Sequence, residues 1–213
     1  MDNSLLGLSF DEMKQLVQKH DLPKFTANQL VEWLYKKRCR NFDDMTNLSK
    51  ATRQLLNDNY DTGFHPPIKV QVSNDGTKKY LFHVEDGYVE TAYIPDRDRA
   101  TLCVSSQVGC KMGCEFCQTG KQGFQTQLSA GDIINQILSL PEFENLTNFV
   151  FMGMGEPMDN YDAVMRCLEI MTSEWGLAMS PTRFTVSTVG VIPFMKRFMK
   201  ESKCNLAVSM HSP

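Results

Sequence analysis

Apolar residues recur at helical spacing in the first 62 residues of the chain. The segments that begin at Ser9 and Thr26 each carry a glutamate or glutamine three residues later, as in a capping box that satisfies free amides at a helix start. The apolar residues behind them share one helix face: Met13, Leu16 and Val17, then Leu30, Val31 and Leu34. A third helix is predicted at about residues 48–60. The pattern therefore predicts a helical domain over residues 1–62.

After Pro66-Pro67 the pattern changes to alternating apolar and polar residues, which is typical of half-buried strands. Three strands are predicted, at residues 68–72, 78–84 and 88–94. Asn74-Asp75-Gly76 and Asp86-Gly87 separate them and favour tight hairpins, because positive φ is tolerated there. We predict an antiparallel β extension over residues 63–95.

From residue 96 onward, predicted strands and helices alternate. The strands fall at residues 101–106, 148–152, 183–187 and 205–209, and the helices at residues 130–138, 161–172 and 193–200. Ser129 and Asp132 are expected to cap the first of these helices. Successive β-α units imply an α/β fold with a parallel sheet and right-handed crossovers. The chain ends soon after the fourth strand of this series.

Cys110, Cys114 and Cys117 fall within eight residues, with glycines on both sides. Such a loop can turn three sulfurs toward one centre, and three thiolates bind three irons of a four-iron, four-sulfur cube while the fourth iron stays open to a ligand. A zinc site is an alternative, but it needs four ligands. The nearest further candidates lie at no standard spacing: Cys103, His83 and His211. Three unrelated thiols are the remaining alternative, and the cluster is favoured.

A second motif follows the strand predicted at residues 148–152. Gly155 lets a ligand approach the backbone, and the Glu156 carboxylate can pair with an ammonium group. Ser187 and Ser209 end the next two predicted strands. Because the carboxyl ends of parallel strands meet at one edge, these residues are expected to share a pocket. Phe116 either offers an apolar face to a ligand in that pocket or packs in the core.

Composition indicates an intracellular globular protein. No apolar run approaches the roughly 20 residues that span a bilayer, and seven cysteines without paired spacing fit a cytoplasmic metalloprotein better than a disulfide scaffold. The net charge of −3 lacks the basic excess of many nucleic-acid binders. One basic cluster, Lys36-Lys37-Arg38 with Arg40, either contacts phosphates or is a solvated helix end, and the second interpretation is favoured.

Four segments together with the cysteine loop resemble the RlmN family of the radical S-adenosylmethionine (SAM) superfamily. They are residues 89–95 (VETAYIP), 99–110 (RATLCVSSQVGC), 151–157 (FMGMGEP) and 206–211 (LAVSMH). The resemblance implies a partial (β/α) barrel of radical SAM type, with four of its six strands present. It also implies that the N-terminal helical domain contacts RNA, and that residues 96–213 are an incomplete core of a longer protein.

The resemblance implies which residues bind the cofactors. A [4Fe-4S] cluster would be held by Cys110, Cys114 and Cys117. SAM would be bound by Gly155, Glu156, Ser187, Ser209, Met210 and His211. The family adds a methyl group to C2 of an adenine in 23S rRNA and tRNA, so the implied partners are those RNAs, with reduced flavodoxin or ferredoxin as electron donor and the protein as a monomer.

Two further residues match the family's catalytic groups. Because C2 of adenine is not nucleophilic, the family carries the methyl group on a cysteine that becomes linked to the base. By resemblance, Glu90 accepts the C2 proton and Cys103 resolves the linked sulfur by forming a transient disulfide. Cys39, Cys167 and Cys204 do not match the methyl-carrying cysteine and are expected to be ordinary buried thiols. That cysteine lies downstream in the family, so this 213-residue chain alone is expected to be inactive.

The sequence is also compatible with two other functions. The Cfr type of enzyme methylates C8 of the same adenine, and the segment at residues 89–95 favours C2 over C8. A non-catalytic RNA module that binds a cluster or zinc is the alternative from another class, and metal analysis distinguishes it from the enzyme.

Overall fold

The computed structural model of the protein describes residues 3–210. Its helices are α1 (Phe10–Lys19), α2 (Thr26–Val31), α3 (Lys50–Asn59), α4 (Gln118–Lys121), α5 (Ala130–Leu138), α6 (Tyr161–Thr172) and α7 (Ile192–Glu201). Its strands are β1 (Lys69–Val72), β2 (Lys78–Val84), β3 (Gly87–Asp96), β4 (Arg99–Cys103), β5 (Gln107–Gly109), β6 (Phe124–Gln127), β7 (Asn148–Phe151), β8 (Phe184–Thr188) and β9 (Asn205–Val208). None of the described helices is long and apolar enough to cross a membrane.

The three helices predicted in the N-terminal segment are present, and one predicted cap is wrong. Ser9 makes the capping box with Glu12, and the apolar faces predicted for α1 and α2 are buried. The chain is already helical at Phe25, so Thr26 lies inside α2, is buried, and makes no capping box. The amide of Thr26 is satisfied instead by the carbonyl of Pro23, at 2.8 Å. A turn that starts at a proline therefore replaces the predicted side-chain cap.

Seven strands form one sheet in the order β1-β2-β3-β4-β7-β8-β9. The first four are joined by antiparallel pairs, and β4, β7, β8 and β9 are parallel. The predicted α/β class, with four parallel strands of a partial barrel, is therefore confirmed. The predicted β extension continues into the parallel strands through the pairing of Ala92 with Cys103. Glu90, on β3, thus belongs to the same sheet as the parallel strands.

The core lies between the sheet and the helices that connect its parallel strands. Phe149 on β7 stacks on Phe184 on β8, with ring centroids 4.8 Å apart, and both are fully buried. Helix α5 begins with the predicted capping box of Ser129 and Asp132, and its isoleucines are buried. β1 departs from the expected half-buried pattern, because all four of its residues are exposed at the sheet edge. Edge strands have only one neighbouring strand and here no covering helix.

The basic cluster docks the N-terminal helices onto the α/β core. Lys37 contacts its own segment, where it pairs with Glu32 at 3.0 Å. The other three reach across: Lys36 Nζ to the Glu174 carbonyl (3.2 Å), Arg38 Nη2 to Glu144 Oε1 (2.6 Å) and Arg40 Nη2 to the Ser139 carbonyl (3.3 Å). Lys36, Lys37 and Arg40 are exposed, as expected of a solvated helix end, but three of the four side chains also make contacts that were not predicted. These side chains bind acceptors of a distant segment, which spacing along the chain did not reveal.

Candidate active site

The cysteine loop is held at its base by the short β5–β6 pair. The Cys110 amide donates to the Gly123 carbonyl at 3.1 Å, and the Cys117 amide donates to the Cys114 carbonyl at 3.0 Å. Gly109 has φ +75°, and a Cβ there would collide with the Gly123 backbone. Glycine at this position therefore lets the two strands approach closely enough to close the loop. Cys110, Cys114 and Cys117 all line one cavity of about 340 Å³.

The opposite wall of this cavity is formed by the carboxyl ends of β7, β8 and β9. Its residues include Met152, Gly153, Gly155, Glu156, Pro157, Ser187, Thr188, Val189, Ala207 and Ser209. Ser187 Oγ and Ser209 Oγ are 3.0 Å apart, so adjacent strand ends are linked by their hydroxyls. The structure thus places seven of the predicted cluster-binding and SAM-binding residues in a single cavity: Cys110, Cys114, Cys117, Gly155, Glu156, Ser187 and Ser209.

Glu156 is buried and its carboxylate is held by two backbone amides. Oε1 accepts from the Met158 amide at 2.9 Å, and Oε2 accepts from the Val189 amide at 3.0 Å. The second bond links the loop after β7 to the loop after β8. A carboxylate has about four lone-pair sites, so these two bonds leave acceptor capacity on the cavity side. Glu156 therefore positions two loops and can still accept from a ligand.

Three other predicted positions differ in their placement. Phe116 lines the cavity and is 66% exposed, so the alternative of core packing is wrong. Met210 is 80% exposed and is not among the residues that line the cavity. His211 lies outside the described residues.

Glu90 and Cys103 lie on one face of the sheet but outside this cavity. Cys103 is directly opposite Ala92, and Glu90 is two residues before Ala92, so the side chains of all three point to the same side. Glu90 Oε1 pairs with Lys79 Nζ at 2.9 Å, and about half of each side chain is exposed. Burial raises the pKa of the Cys103 thiol, although the Met152 amide opposes this.

Of the three cysteines that were expected to be buried, two are buried. Cys39 and Cys167 are buried, whereas Cys204 is only half-buried. Burial raises the pKa of the Cys167 thiol far above its ordinary value, as expected of an inert core thiol. All seven cysteines, which lie within the described part of the chain, are free thiols.

Beside the cavity lies a network of polar side chains that was not predicted from the sequence. Asp159 accepts hydrogen bonds from Gln107 and Gln127 and pairs with Lys111 of the cysteine loop. Gln107 precedes the first cluster cysteine by three residues, and Asp159 follows Glu156 by three. The sequence indicates only that a polar residue flanks each motif. It does not show which side chain Gln107 or Asp159 contacts.

The donor set in the cavity fits a cubane held by three cysteines. Within residues 3–210, no three His, Cys, Asp or Glu side chains converge closely enough to hold a single metal ion. A cubane instead binds each cysteine at a different iron, so three sulfurs spread around one cavity suit it. Burial raises the pKa of Cys110, the Met112 amide lowers it, and the nearby Glu156, Cys114 and Cys117 raise it further.

Sequence profiles of two known families match the chain. The ribosomal RNA large subunit methyltransferase N-terminal domain matches residues 3–61, and the radical SAM superfamily matches residues 104–213, about half of the chain. A crystal structure of a radical SAM methyltransferase from Sphaerobacter thermophilus superposes with a TM-score of 0.91 at 37% identity. That match covers 99% of this chain and 64% of the other. The fold and the cysteine loop thus define a radical SAM protein.

Two curated relatives narrow the class. A probable dual-specificity RNA methyltransferase RlmN of Phocaeicola vulgatus is 55% identical over 99% of this chain and 60% of its own length. The dual-specificity RNA methyltransferase RlmN of Geobacter sulfurreducens is 42% identical over 97% of this chain and 58% of its own length. This chain belongs to the RlmN family of the radical SAM superfamily, whose members use a [4Fe-4S] cluster and SAM. It spans about three-fifths of the length of these relatives.

Proposed function

We propose that the full-length protein containing this chain methylates C2 of an adenine in 23S rRNA and tRNA. The observation that carries the proposal is the single cavity in which Cys110, Cys114 and Cys117 face Glu156 and the strand-end serines. RlmN relatives named as dual-specificity RNA methyltransferases support the substrate class.

Each wall of the cavity has its own task in this proposal. The three cysteines hold the [4Fe-4S] cluster as thiolates. Gly155, Glu156, Ser187 and Ser209 bind SAM, with Glu156 accepting from its ammonium group and Phe116 covering its adenine. When bound, the cluster and SAM supply the methyl group and the one-electron chemistry that an unreactive adenine C2 requires.

Glu90 and Cys103 act on the RNA base and on the protein–base link. Both lie on the uncovered face of the sheet, where a flipped-out adenine can approach them. The Glu90 carboxylate accepts the C2 proton once its ion pair with Lys79 opens. The Cys103 thiolate then attacks the sulfur that joins the base to the methyl-carrying cysteine beyond residue 213, which releases the product and leaves a disulfide. The raised pKa of Cys103 means that this thiol must lose its proton to a base before it attacks.

The proposal is tested with full-length protein reconstituted anaerobically and assayed on 23S rRNA fragments and tRNA. We expect Cys103→Ala to keep the cluster, to lose multiple turnover and to accumulate RNA bound covalently to protein. Glu90→Gln should also retain the cluster while turnover is lost. Cys204→Ala is the matched control, because this half-buried thiol lies at the opposite end of β9 from the cavity.

Digestion of the modified RNA and mass analysis identify the methylated position. Methyl at C2 supports the proposal, and methyl at C8 would replace it with the Cfr-type reaction. Sustained multiple turnover by Cys103→Ala would refute the proposed role of Cys103 in resolving the protein–base link. Stoichiometric zinc in place of iron would refute the proposal that the protein is a radical SAM enzyme.

A further inference from the structure

Four polar side chains connect the cysteine loop to the loop that follows β7. Lys111 Nζ, inside the cysteine loop, pairs with Asp159 Oδ2 at 2.9 Å. The same Asp159 oxygen accepts from Gln107 Nε2 at 2.7 Å and from Gln127 Nε2 at 3.1 Å. Gln107 Nε2 also donates to Gln127 Oε1 at 2.8 Å. One carboxylate oxygen thus collects three donors from the base and the interior of the cysteine loop.

Gln107 carries the connection onward to Glu156. Its Oε1 accepts from the Glu156 amide at 2.8 Å, and its side chain is fully buried. Gly155 has φ +98°, and a Cβ there would lie 2.6 Å from Gln107 Cβ. The loop after β7 therefore packs directly against the Gln107 side chain and is fixed by it. Since a buried amide that loses its partner is costly, this contact has one strongly preferred arrangement.

We propose that Asp159 and Gln107 are positioning residues that hold the cysteine loop and the Glu156 loop at a fixed separation. The inference rests on the proposed function, in which one loop carries the cluster and the other contacts SAM. Asp159 fixes the cysteine loop through Lys111, and Gln107 fixes the Glu156 loop through its backbone amide. Neither side chain lines the cavity, so both act through other residues.

A double-mutant cycle between Lys111 and Asp159 tests the coupling in the full-length holoenzyme. Lys111→Met and Asp159→Asn should each weaken SAM affinity about tenfold, or about 1.4 kcal/mol, measured as the SAM-induced change in the electron paramagnetic resonance spectrum of the reduced cluster. Because Lys111 acts through Asp159, the double variant should lose about as much as Asp159→Asn alone, about tenfold rather than a hundredfold. Iron and sulfide content should stay at the wild-type level, and Asp159→Glu should restore part of the affinity.

Matched controls are available a few residues away from each position. Asp162→Asn makes the same change at a carboxylate that is 91% exposed. Lys121→Met removes an exposed lysine from α4, directly after the cysteine loop. Both control proteins should bind SAM as the wild type does. Wild-type affinity in the Lys111 and Asp159 single variants, or a hundredfold loss in the double variant, would overturn the inference.

Hydrogen–deuterium exchange of the cluster-free full-length protein gives a readout that is independent of cofactor binding. Asp159→Asn should speed exchange in residues 110–117, and Gln107→Leu should speed exchange at the Glu156 amide, while α5 stays protected. Unchanged exchange at both places contradicts the inference even if a variant binds SAM weakly. A wild-type protein that holds four irons but does not respond to SAM refutes the proposed function instead, and the exchange experiment still decides the role of these two residues.

Discussion

Replacing Glu156 by glutamine removes one of two buried hydrogen bonds without changing the shape of the side chain. The carboxylate accepts from the amides of Met158 and Val189, at 2.9 and 3.0 Å, and only 3% of the residue is exposed. Glutamine offers one acceptor oxygen and one NH₂ group. In Glu156→Gln one backbone N–H must therefore face another donor instead of a carboxylate oxygen.

The size of the effect follows from the type of bond that is lost. Hydrogen bonds to a charged group contribute about 1.5 to 3 kcal/mol, and an unsatisfied buried donor costs about 1 to 3 kcal/mol. We expect Glu156→Gln to lower the free energy of unfolding by about 3 kcal/mol. A protein of about 150 to 250 residues loses about 2 to 4 °C per kcal/mol. The melting temperature should therefore fall by about 6 to 12 °C for a protein of that size, and by less for a longer one, because the entropy of unfolding grows with length.

The assay is thermal unfolding of the cluster-free full-length protein, followed by circular dichroism. Glu85→Gln is the control, because Glu85 is exposed in the β2–β3 hairpin and should melt as the wild type does. Hydrogen–deuterium exchange should show faster exchange at Met158 or Val189 in Glu156→Gln. If the variant melts within about 1 °C of the control and both amides stay protected, the carboxylate does not hold the two loops together as described.

Two further predictions concern ion pairs that lie outside the cavity. Arg38→Ala removes an ion pair with Glu144 and a stacking contact 4.5 Å from the centre of the Phe143 ring. Since Glu144 is mostly exposed, urea unfolding should show that the free energy of unfolding falls by only about 1 kcal/mol. Limited proteolysis should nevertheless cut the N-terminal helices of Arg38→Ala faster than those of a Lys24→Ala control. Burial opposes ionisation of Glu142, yet hydrogen bonds from Lys78 and Tyr80 hold its pKa below the ordinary 4.5. The stabilisation is therefore present above pH 4.5 and lost as pH falls through the lower folded-state pKa, so Glu142→Gln should flatten this acid-side loss in melts between pH 6 and 3; an unchanged slope would contradict the role of Glu142.

Much of the fold was predictable because its signals are local. β2 has the predicted bounds, and β3 was predicted within two residues at its ends, since alternation and the Gly76 and Gly87 turns are properties of neighbouring residues. The predicted cap at Thr26 is wrong because an equally local competitor, the turn at Pro23, supplies the acceptor for the Thr26 amide. The short β5–β6 pair was not predicted, since three and four residues carry too little periodicity to be recognised.

The candidate site was likewise predictable only where its signals are local. The cysteine spacing and the strand-end positions of Glu156, Ser187 and Ser209 predicted one shared pocket, because the ends of parallel strands must meet at one edge. The sequence could not show that Glu156 is already held by the Val189 amide, 33 residues away. It likewise gave no reason to single out Gln107, whose partners lie 20 to 52 residues along the chain.

The sequence by itself thus determined most of the helices and strands, the cysteine loop and the edge of the sheet at which the site residues meet. All three depend on short-range spacing and on strand direction. Only the tertiary structure decided which polar groups satisfy one another, as with Arg38 on Glu144 and Lys111 on Asp159. A buried or half-buried donor forms a hydrogen bond with whichever acceptor the packing brings within about 3 Å. That choice is made between segments far apart in the chain, and no local pattern records it.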